Sequence, residues 1–212
     1  MGGSAKETWI DTGWTDILTD DGLRVVTPDL LGHGSAERPH DPDAYAHLRQ
    51  GAQDAVGDEK PLVGVGFSLG ARVLVEWALA EPDRFSKLAL LGMGDNLFAA
   101  WDPTPMISAL EGTASIDHPF VERLLELTSR NGGDPLAVAA MLRYRGNDAI
   151  EPSELSKITC PTLVVFGELD GVGDPQPLVD ALPNATFTSV RRCDHFATTS
   201  KFETIEAVAR FV

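Results

Sequence analysis

Short apolar segments alternate along most of the chain with longer segments of helical periodicity. The three central apolar segments contain almost no polar residue, which is typical of strands that are covered on both faces. The predicted strands are residues 23–27, 62–67, 88–91, 163–166 and 186–190, and the predicted helices between and after them are residues 9–18, 69–80, 177–182 and 202–211. This alternation predicts an α/β fold, with a mainly parallel sheet and helices on both faces.

The alternation stops between Asp95 and about Ile158, where no good strand pattern occurs. Apolar spacing there predicts helices over residues 120–127 and 136–144, set between segments rich in proline and glycine. We predict that residues 95–158 are a small helical cap inserted over the carboxyl edge of the sheet. The length of the chain predicts one domain over residues 1–212.

The apolar residues of this insertion have two interpretations, ordinary packing or the walls of a substrate pocket. The second interpretation suggests a substrate with a modest, mainly apolar acyl or alcohol group. The candidate pocket residues of the insertion are Phe98, Trp101, Met106 and Met141, with Leu110 and Leu125 as further candidates. Phe67, which lies outside the insertion, is also a candidate pocket residue.

The charge of the chain argues against polyanionic partners. Lys and Arg number 17 against 32 Asp and Glu, a formal net charge of −15, so the surface repels nucleic acid and anionic lipid. The apolar segments reach only about eight residues, fewer than the roughly 18 that span a bilayer. The segment from Met1 to Trp9 has no apolar run typical of a signal peptide. The two cysteines fit a reducing, cytoplasmic setting.

The strongest chemical motif is Gly66-Phe67-Ser68-Leu69-Gly70, which joins a predicted strand to a predicted helix. A sharp turn of this kind lifts a serine hydroxyl off the sheet edge, and glycines flank the serine where the turn leaves no room for side chains. The helix N-terminus places the Leu69 amide beside a developing oxyanion. The motif predicts a nucleophile at Ser68; a tight turn without catalysis is the alternative.

A serine hydroxyl is a weak nucleophile, so it requires a base, and the base requires a carboxylate that orients it. Asp170 follows the fourth predicted strand and His195 follows the fifth. We therefore expect both side chains at the same carboxyl edge of the sheet as Ser68. The chain order Ser, Asp, His is the order expected for a serine hydrolase on such a sheet.

Other carboxylates and histidines are weaker candidates for this chemistry. Asp95 also follows a predicted strand and is the main rival for the acid, with Glu168 and Asp174 as further rivals. Cys193 lies near the proposed base and is expected to be an inert thiol. No spacing resembles a zinc site. His33 is expected to pack within its loop, and the histidines expected to be solvated are His40, His47 and His118.

Together these motifs resemble the α/β-hydrolase superfamily, in particular its small bacterial esterase and lactone-hydrolase-like members. Residues 25–35 are similar to the family's strand and Asp-x-x-Gly-His-Gly loop, and residues 66–70 to its nucleophile elbow. Residues 167–170 and 194–196 are similar to its acid and base loops. The resemblance covers nearly the whole chain, and the order of the four motifs is more specific than any one of them.

The resemblance implies a catalytic role for each matching residue. It implies Ser68 as the nucleophile, His195 as general base and then acid, and Asp170 as its orienting partner. The Leu69 amide would be one oxyanion donor, and no cofactor would be used. The implied partner is a small-molecule ester or lactone; the sequence makes no prediction of oligomeric state.

The N-terminus departs from the family pattern. Family members have three strands before the position where this chain begins, and Met1-Gly2-Gly3-Ser4 is similar to the tail of the loop that follows the third and supplies a second oxyanion amide. Loss of that third strand would leave unpaired backbone groups in the sheet. Three explanations are open: a misassigned start codon, which we favour, a re-paired strand at residues 23–27, or a weakened remnant. We expect an extended chain to be more stable and more active.

The predicted activity is hydrolysis of a small ester or lactone through an acyl-serine intermediate. One alternative is a different reaction of the same triad, such as carbon–carbon bond hydrolysis or peracid formation. Another is a ligand-binding member of the fold without catalysis. Haloalkane dehalogenase activity is not expected, because that relative has a carboxylate where Ser68 stands.

Overall fold

The computed structural model describes residues 1–99, 101–114, 117–144 and 149–212. Parts of the predicted cap, residues 100, 115–116 and 145–148, lie outside the described residues. The strands are β1 (Leu62–Phe67), β2 (Phe85–Leu91), β3 (Thr162–Gly167) and β4 (Ala185–Val190). The α-helices of the described residues are α1 (Trp14–Asp20), α2 (Gln50–Val56), α3 (Leu69–Ala80), α4 (Thr104–Leu110), α5 (Pro119–Ser129), α6 (Pro135–Arg143), α7 (Gln176–Ala181) and α8 (Phe202–Phe211).

The chain divides into two compact units. The first consists of Met1–Asp11, Val26–Gly57 and Trp101–Asp148, and it contains helices α2, α4, α5 and α6. The second consists of Thr12–Val25, Asp58–Ala100 and Ala149–Val212, and it contains the four strands and the remaining helices.

The second unit is built on a parallel sheet with the strand order β1-β2-β3-β4. All six residues of β3 are buried, so both faces of this strand are covered. Helix α3 packs against β1 and β2, and helix α8 packs against β3 and β4. The indole N–H of Trp14 donates to the carbonyl of Thr199 at 2.7 Å and anchors α1 within the same unit. The predicted α/β class and parallel sheet are confirmed.

Parallel strands place their carboxyl ends at one edge, and the loops that leave this edge contain the candidate chemistry. Ser68 follows β1 directly, Asp170 lies three residues after the end of β3, and His195 lies five residues after the end of β4. Helices α3 and α8 have the predicted bounds, because apolar periodicity is uninterrupted across them.

The prediction of a strand at residues 23–27 is wrong. Within the part of the chain that the structure describes, this segment pairs with no strand, and its side chains are half-buried or exposed. Arg24 is exposed and forms an ion pair with Glu59 at 2.9 Å. A strand exists only where a neighbour pairs with its backbone, and among the described residues β1 pairs with β2 alone. The re-pairing of residues 23–27 considered above is therefore absent from the sheet.

The single helix predicted over residues 9–18 is also wrong. A π-helical turn covers Lys6–Ile10, and α1 begins only at Trp14. Gly13 separates them with a φ of 84°, a left-handed conformation that an α-helix cannot contain.

The first unit contains the helices found in the predicted cap region. Helix α4 packs against α6, and both pack against α5. The Asp134 carboxylate caps α6 by accepting from the N–H groups of Leu136 and Ala137 at 3.0 and 3.2 Å. Its second oxygen lies 2.8 Å from Nε2 of His40. In the part of the chain that the structure describes, no helix has the length and apolar character needed to cross a bilayer.

Candidate active site

The turn between β1 and α3 holds Ser68 in a strained backbone conformation. Its φ of 51° is positive, which is uncommon for a residue other than glycine and recurs at functional sites. The Ser68 N–H donates to the carbonyl of Leu91 at the end of β2, at 2.9 Å. The serine is thus fixed to the sheet edge by its own backbone.

The two glycines of the elbow have different roles. A Cβ at Gly66 would lie 2.6 Å from the carbonyl oxygen of Gly70 and 2.8 Å from the amide nitrogen of Ala71, so only glycine fits where strand and helix meet. Among the described residues, a Cβ at Gly70 would meet no atom within 4 Å outside its own helix. The predicted steric reason for glycine therefore holds at Gly66 and is wrong at Gly70.

Leu69 is the first residue of α3. The first N–H groups of a helix have no acceptor within that helix, and they lie at the positive end of its dipole. Leu69 directly follows Ser68 in the chain. Its N–H is therefore a candidate donor to a carbonyl oxygen that acquires negative charge when the Ser68 hydroxyl attacks.

The structure brings Ser68, His195 and Asp170 together. Nε2 of His195 lies 3.1 Å from the Ser68 hydroxyl oxygen, and Nδ1 lies 2.9 Å from Oδ2 of Asp170. The His195 and Asp170 side chains are 6% and 0% exposed, respectively. A carboxylate on Nδ1 requires a proton there, which leaves the lone pair of Nε2 directed at the serine hydroxyl.

Asp170 is itself held in place by its loop. Its second carboxylate oxygen accepts from the N–H of Val172 at 3.1 Å, and its own N–H donates to the carbonyl of Gly167 at 3.0 Å. One carboxylate oxygen therefore faces His195 while the other is fixed by backbone, which sets the orientation of the imidazole.

Glu168, a rival for the acid, instead connects the acid loop to the base loop. Its N–H donates to the carbonyl of Val190 at 2.9 Å, and its carboxylate accepts from the N–H of Arg192 at 3.0 Å. The neighbouring N–H of Leu169 donates to the carbonyl of Cys193 at 2.9 Å. Three hydrogen bonds thus join the segments that present Asp170 and His195.

Asp95 and Asp174, the other rivals, bind each other's loops. The N–H of Asp95 donates to the carbonyl of Asp174 at 2.8 Å, and the N–H of Asp174 donates to Oδ1 of Asp95 at 2.9 Å. Asp95 therefore fixes the chain just after Asp170, while the imidazole of His195 bonds Asp170.

The imidazole of His195 packs against aromatic side chains and a glycine. The Phe67 ring lies 4.8 Å from it between centroids, and the Phe196 ring lies 5.5 Å away, edge to face. A Cβ at Gly92 would lie 3.2 Å from Nδ1 of His195 and 2.8 Å from the Phe67 ring. The sequence analysis did not identify Gly92 as a residue that makes room for His195. Its position directly after the buried strand β2 could have indicated this role.

A family model described as the alpha/beta hydrolase family matches residues 2–210. The chain belongs to the α/β-hydrolase family. It is 29% identical over 228 aligned positions to a 2-hydroxymuconate semialdehyde hydrolase of Pseudomonas putida, with 95% of this chain and 79% of the relative covered.

Solved structures share the fold of this α/β hydrolase. One is Est816, described as an N-acyl homoserine lactone degrading enzyme, with a TM-score of 0.74 and 22% identity over 100% of this chain and 90% of that chain. Another is a thermophilic esterase from Thermogutta terrifontis, with a TM-score of 0.71 and 19% identity over 97% of this chain and 84% of that chain.

The candidate pocket residues of this α/β hydrolase fall in different environments. Phe67 and Phe98 are half-buried in the second unit. In the first unit, Trp101 is 54% exposed, whereas Met106 and Met141 are buried on the packed helices α4 and α6. Of the further candidates, Leu110 is buried and Leu125 half-buried.

The first unit also has a cavity of about 410 Å³ that sequence reasoning did not predict. Neither Met106 nor Met141 belongs to its lining, so the role of these two methionines as pocket walls stays a prediction. The lining consists of Pro42, Thr104, Ile107, Ser108, Glu111, Leu142, Arg143 and Tyr144.

The remaining histidines lie outside the triad. His33 is 8% exposed, and its Nδ1 lies 3.0 Å from the carbonyl of Leu31. Burial lowers the pKa of His33 to about 4. His118 accepts from the N–H of Phe120 at 3.2 Å as a cap of α5, and His47 is exposed.

The thiol of Cys193 is buried beside the base loop. It donates to the carbonyl of Asp194 at 3.3 Å, and burial raises the pKa of the thiol. Because the thiolate is the reactive form of cysteine, this environment keeps the group unreactive.

Proposed function

We propose that this α/β hydrolase cleaves a small ester or lactone through an acyl intermediate on Ser68. The observation that supports the proposal is the continuous pair of hydrogen bonds from Ser68 through His195 to Asp170, at 3.1 and 2.9 Å. A serine activated in this way attacks carbonyl carbon at neutral pH.

In the first half of the reaction, Oγ of Ser68 attacks the carbonyl carbon while Nε2 of His195 takes the hydroxyl proton. The carbonyl oxygen becomes negatively charged, and the Leu69 N–H stabilises it. The imidazolium, held by Asp170, then gives its proton to the departing alcohol oxygen as the ester bond breaks. Ser68 is left acylated.

In the second half, water replaces the alcohol. His195 removes a proton from the water, the hydroxide attacks the acyl carbon, and the proton returns to Oγ of Ser68 as the acid leaves. The net reaction consumes one water for each ester or lactone cleaved.

Hydrolysis of a carbon–carbon bond is the second candidate, because the curated relative that is 29% identical is a 2-hydroxymuconate semialdehyde hydrolase. Such a substrate has a ketone or aldehyde carbonyl in place of an ester. The same serine would attack it, and a stabilised carbanion would leave in place of an alcohol. The two candidates share the nucleophile and differ in the leaving group.

The test is a panel of short p-nitrophenyl esters, simple lactones and 2-hydroxymuconate semialdehyde, assayed with wild type, Ser68→Ala and Ser156→Ala. Ser156 is exposed and its hydroxyl donates to the carbonyl of Ser153, so it is a matched control. We expect turnover of esters or lactones that Ser68→Ala abolishes and Ser156→Ala retains. Turnover of the semialdehyde alone would favour the second candidate, and tight ligand binding without any turnover would contradict both.

A further inference from the structure

Strand β4 forms one edge of the sheet and is open to solvent. Within the described residues it pairs with β3 alone. Thr186, Phe187 and Ser189 are exposed, and the Phe187 side chain is among the largest exposed apolar groups, at 43%. At the opposite edge, by contrast, the residues of β1 are all buried or half-buried.

The hydrogen bonds to the acid loop and to β3 show which backbone groups of β4 face outward. The carbonyls of Asn184 and Val190 accept from the N–H groups of Thr162 and Glu168, both at the β3 side. In a strand, successive residues direct their N–H and C=O groups to alternate sides. Ala185, Phe187 and Ser189 therefore direct theirs away from β3.

The outer edge of β4 lacks the features that usually prevent strand pairing. Proteins protect exposed edges with charged residues, proline, bulges or very short strands. The sequence of β4, ATFTSV, has six residues without a charge or a proline, and its register with β3 is continuous from Ala185 to Val190.

The net charge of the chain, −15, opposes self-association, so a second copy can approach most easily where charges are absent or opposite. Arg191 and Arg192 follow β4 and Asp180 precedes it. In an antiparallel pair, Arg191 and Arg192 of one copy would lie at the end of β4 that follows helix α7 in the other copy. Asp180 of that helix has the opposite charge and would offset part of the repulsion.

We propose that β4 pairs with β4 of a second copy of this chain, antiparallel and about a two-fold axis at Phe187. Phe187 would then face Phe187 of the other copy, with Cα atoms about 5.5 Å apart. Ala185 would face Ser189 in each direction, and the outward groups would form about six backbone hydrogen bonds across the axis. The contact is self-complementary and closed, so it yields a dimer and no further growth.

The experiment is sedimentation of the purified chain from about 1 to about 200 μM, the range in which a micromolar dissociation constant is measured. Phe187→Lys places a charge on the axis. Ser189→Pro removes an N–H that faces outward while β3 keeps its own hydrogen bonds. The control is Phe202→Lys, which changes a phenylalanine that is 69% exposed and lies outside β4.

We expect wild type and Phe202→Lys to form dimers in this range, and the two β4 variants to sediment as monomers with unchanged circular dichroism. In hydrogen exchange, the amides of Phe187 and Ser189 should become protected as the wild-type concentration rises. A wild type that stays monomeric throughout, or a dimer that persists in both β4 variants, would overturn the proposal.

Discussion

The carboxylate of Glu168 accepts a hydrogen bond from the backbone N–H of Arg192 at 3.0 Å, and this contact links the loop of Asp170 to the loop of His195. Arg192 has a φ of 49°, one of two positive values among the non-glycine residues described, the other being at Ser68. The Glu168 carboxylate thus holds Arg192, a residue with a strained backbone, three positions before His195, the proposed base.

This link predicts a positioning role for Glu168. Without it, the imidazole would sample displaced positions, and small displacements of reacting groups cost large factors in rate. We expect Glu168→Ala to lower kcat about tenfold with little change in KM. Glu168→Gln keeps an oxygen acceptor and should restore most of kcat. Equal kcat values for wild type and Glu168→Ala would contradict this role.

Asp170 should be indispensable to turnover, in contrast to Asp95. In Asp170→Asn the imidazole loses the acceptor that fixes its tautomer, and kcat should fall by about 10⁴ in folded protein, as at an equivalent serine hydrolase position. Asp95→Asn retains the oxygen that accepts from Asp174, so its kcat should stay within a few-fold of wild type. The reverse ranking in steady-state kinetics would assign the acid to Asp95.

The elbow glycines should differ sharply in their tolerance of alanine. The Cβ of Gly66→Ala meets backbone atoms of Gly70 and Ala71, so we expect a loss of roughly 1–3 kcal/mol of stability and a displaced nucleophile. Gly70→Ala has space and adds helix propensity, so it should be neutral or stabilising by up to about 1 kcal/mol. Thermal unfolding of both variants measures the contrast, and equal destabilisation would contradict it.

His33 should make the protein sensitive to acid. Burial lowers its pKa to about 4 from the 6.5 that is usual for histidine, so the folded state keeps a neutral ring where the unfolded state binds a proton. The free energy of unfolding should therefore fall as pH drops from 6.5 to about 4, by up to about 3 kcal/mol.

His33→Gln should flatten this dependence in denaturant titrations at several pH values. His47→Gln, at an exposed histidine, should leave the dependence unchanged. An identical pH profile for wild type and His33→Gln would show that another group is responsible.

The arrangement of Ser68, His195 and Asp170 was predictable because it depends on local sequence motifs and on the topology of the sheet. The bounds of α3 follow from apolar periodicity, and Ser68 follows from the motif that precedes this helix. Asp170 and His195 follow from the rule that parallel strands end at one edge of the sheet.

The sequence-based predictions were wrong or incomplete where a conformation or a role depends on residues distant in the chain. Residues 23–27 have strand propensity, but none of the described strands pairs with their backbone. The role of Glu168 depends on the backbone N–H of Arg192, 24 positions later. Every residue except proline has such an N–H, so the sequence does not indicate which one Glu168 binds. Whether a side chain would fit at Gly70 likewise depends on what packs around α3, and the Gly66–Gly70 motif does not contain this information.

Reaction with a fluorophosphonate, followed by intact-mass and peptide mass spectrometry, tests the activated serine most directly. We expect one phosphonyl group per folded chain, attached to Ser68, with no labelling of Ser68→Ala, of His195→Ala or of urea-unfolded wild type. Folded wild type that remains unlabelled, or that acquires the label on a residue other than Ser68, would contradict the assignment of Ser68 as the activated nucleophile.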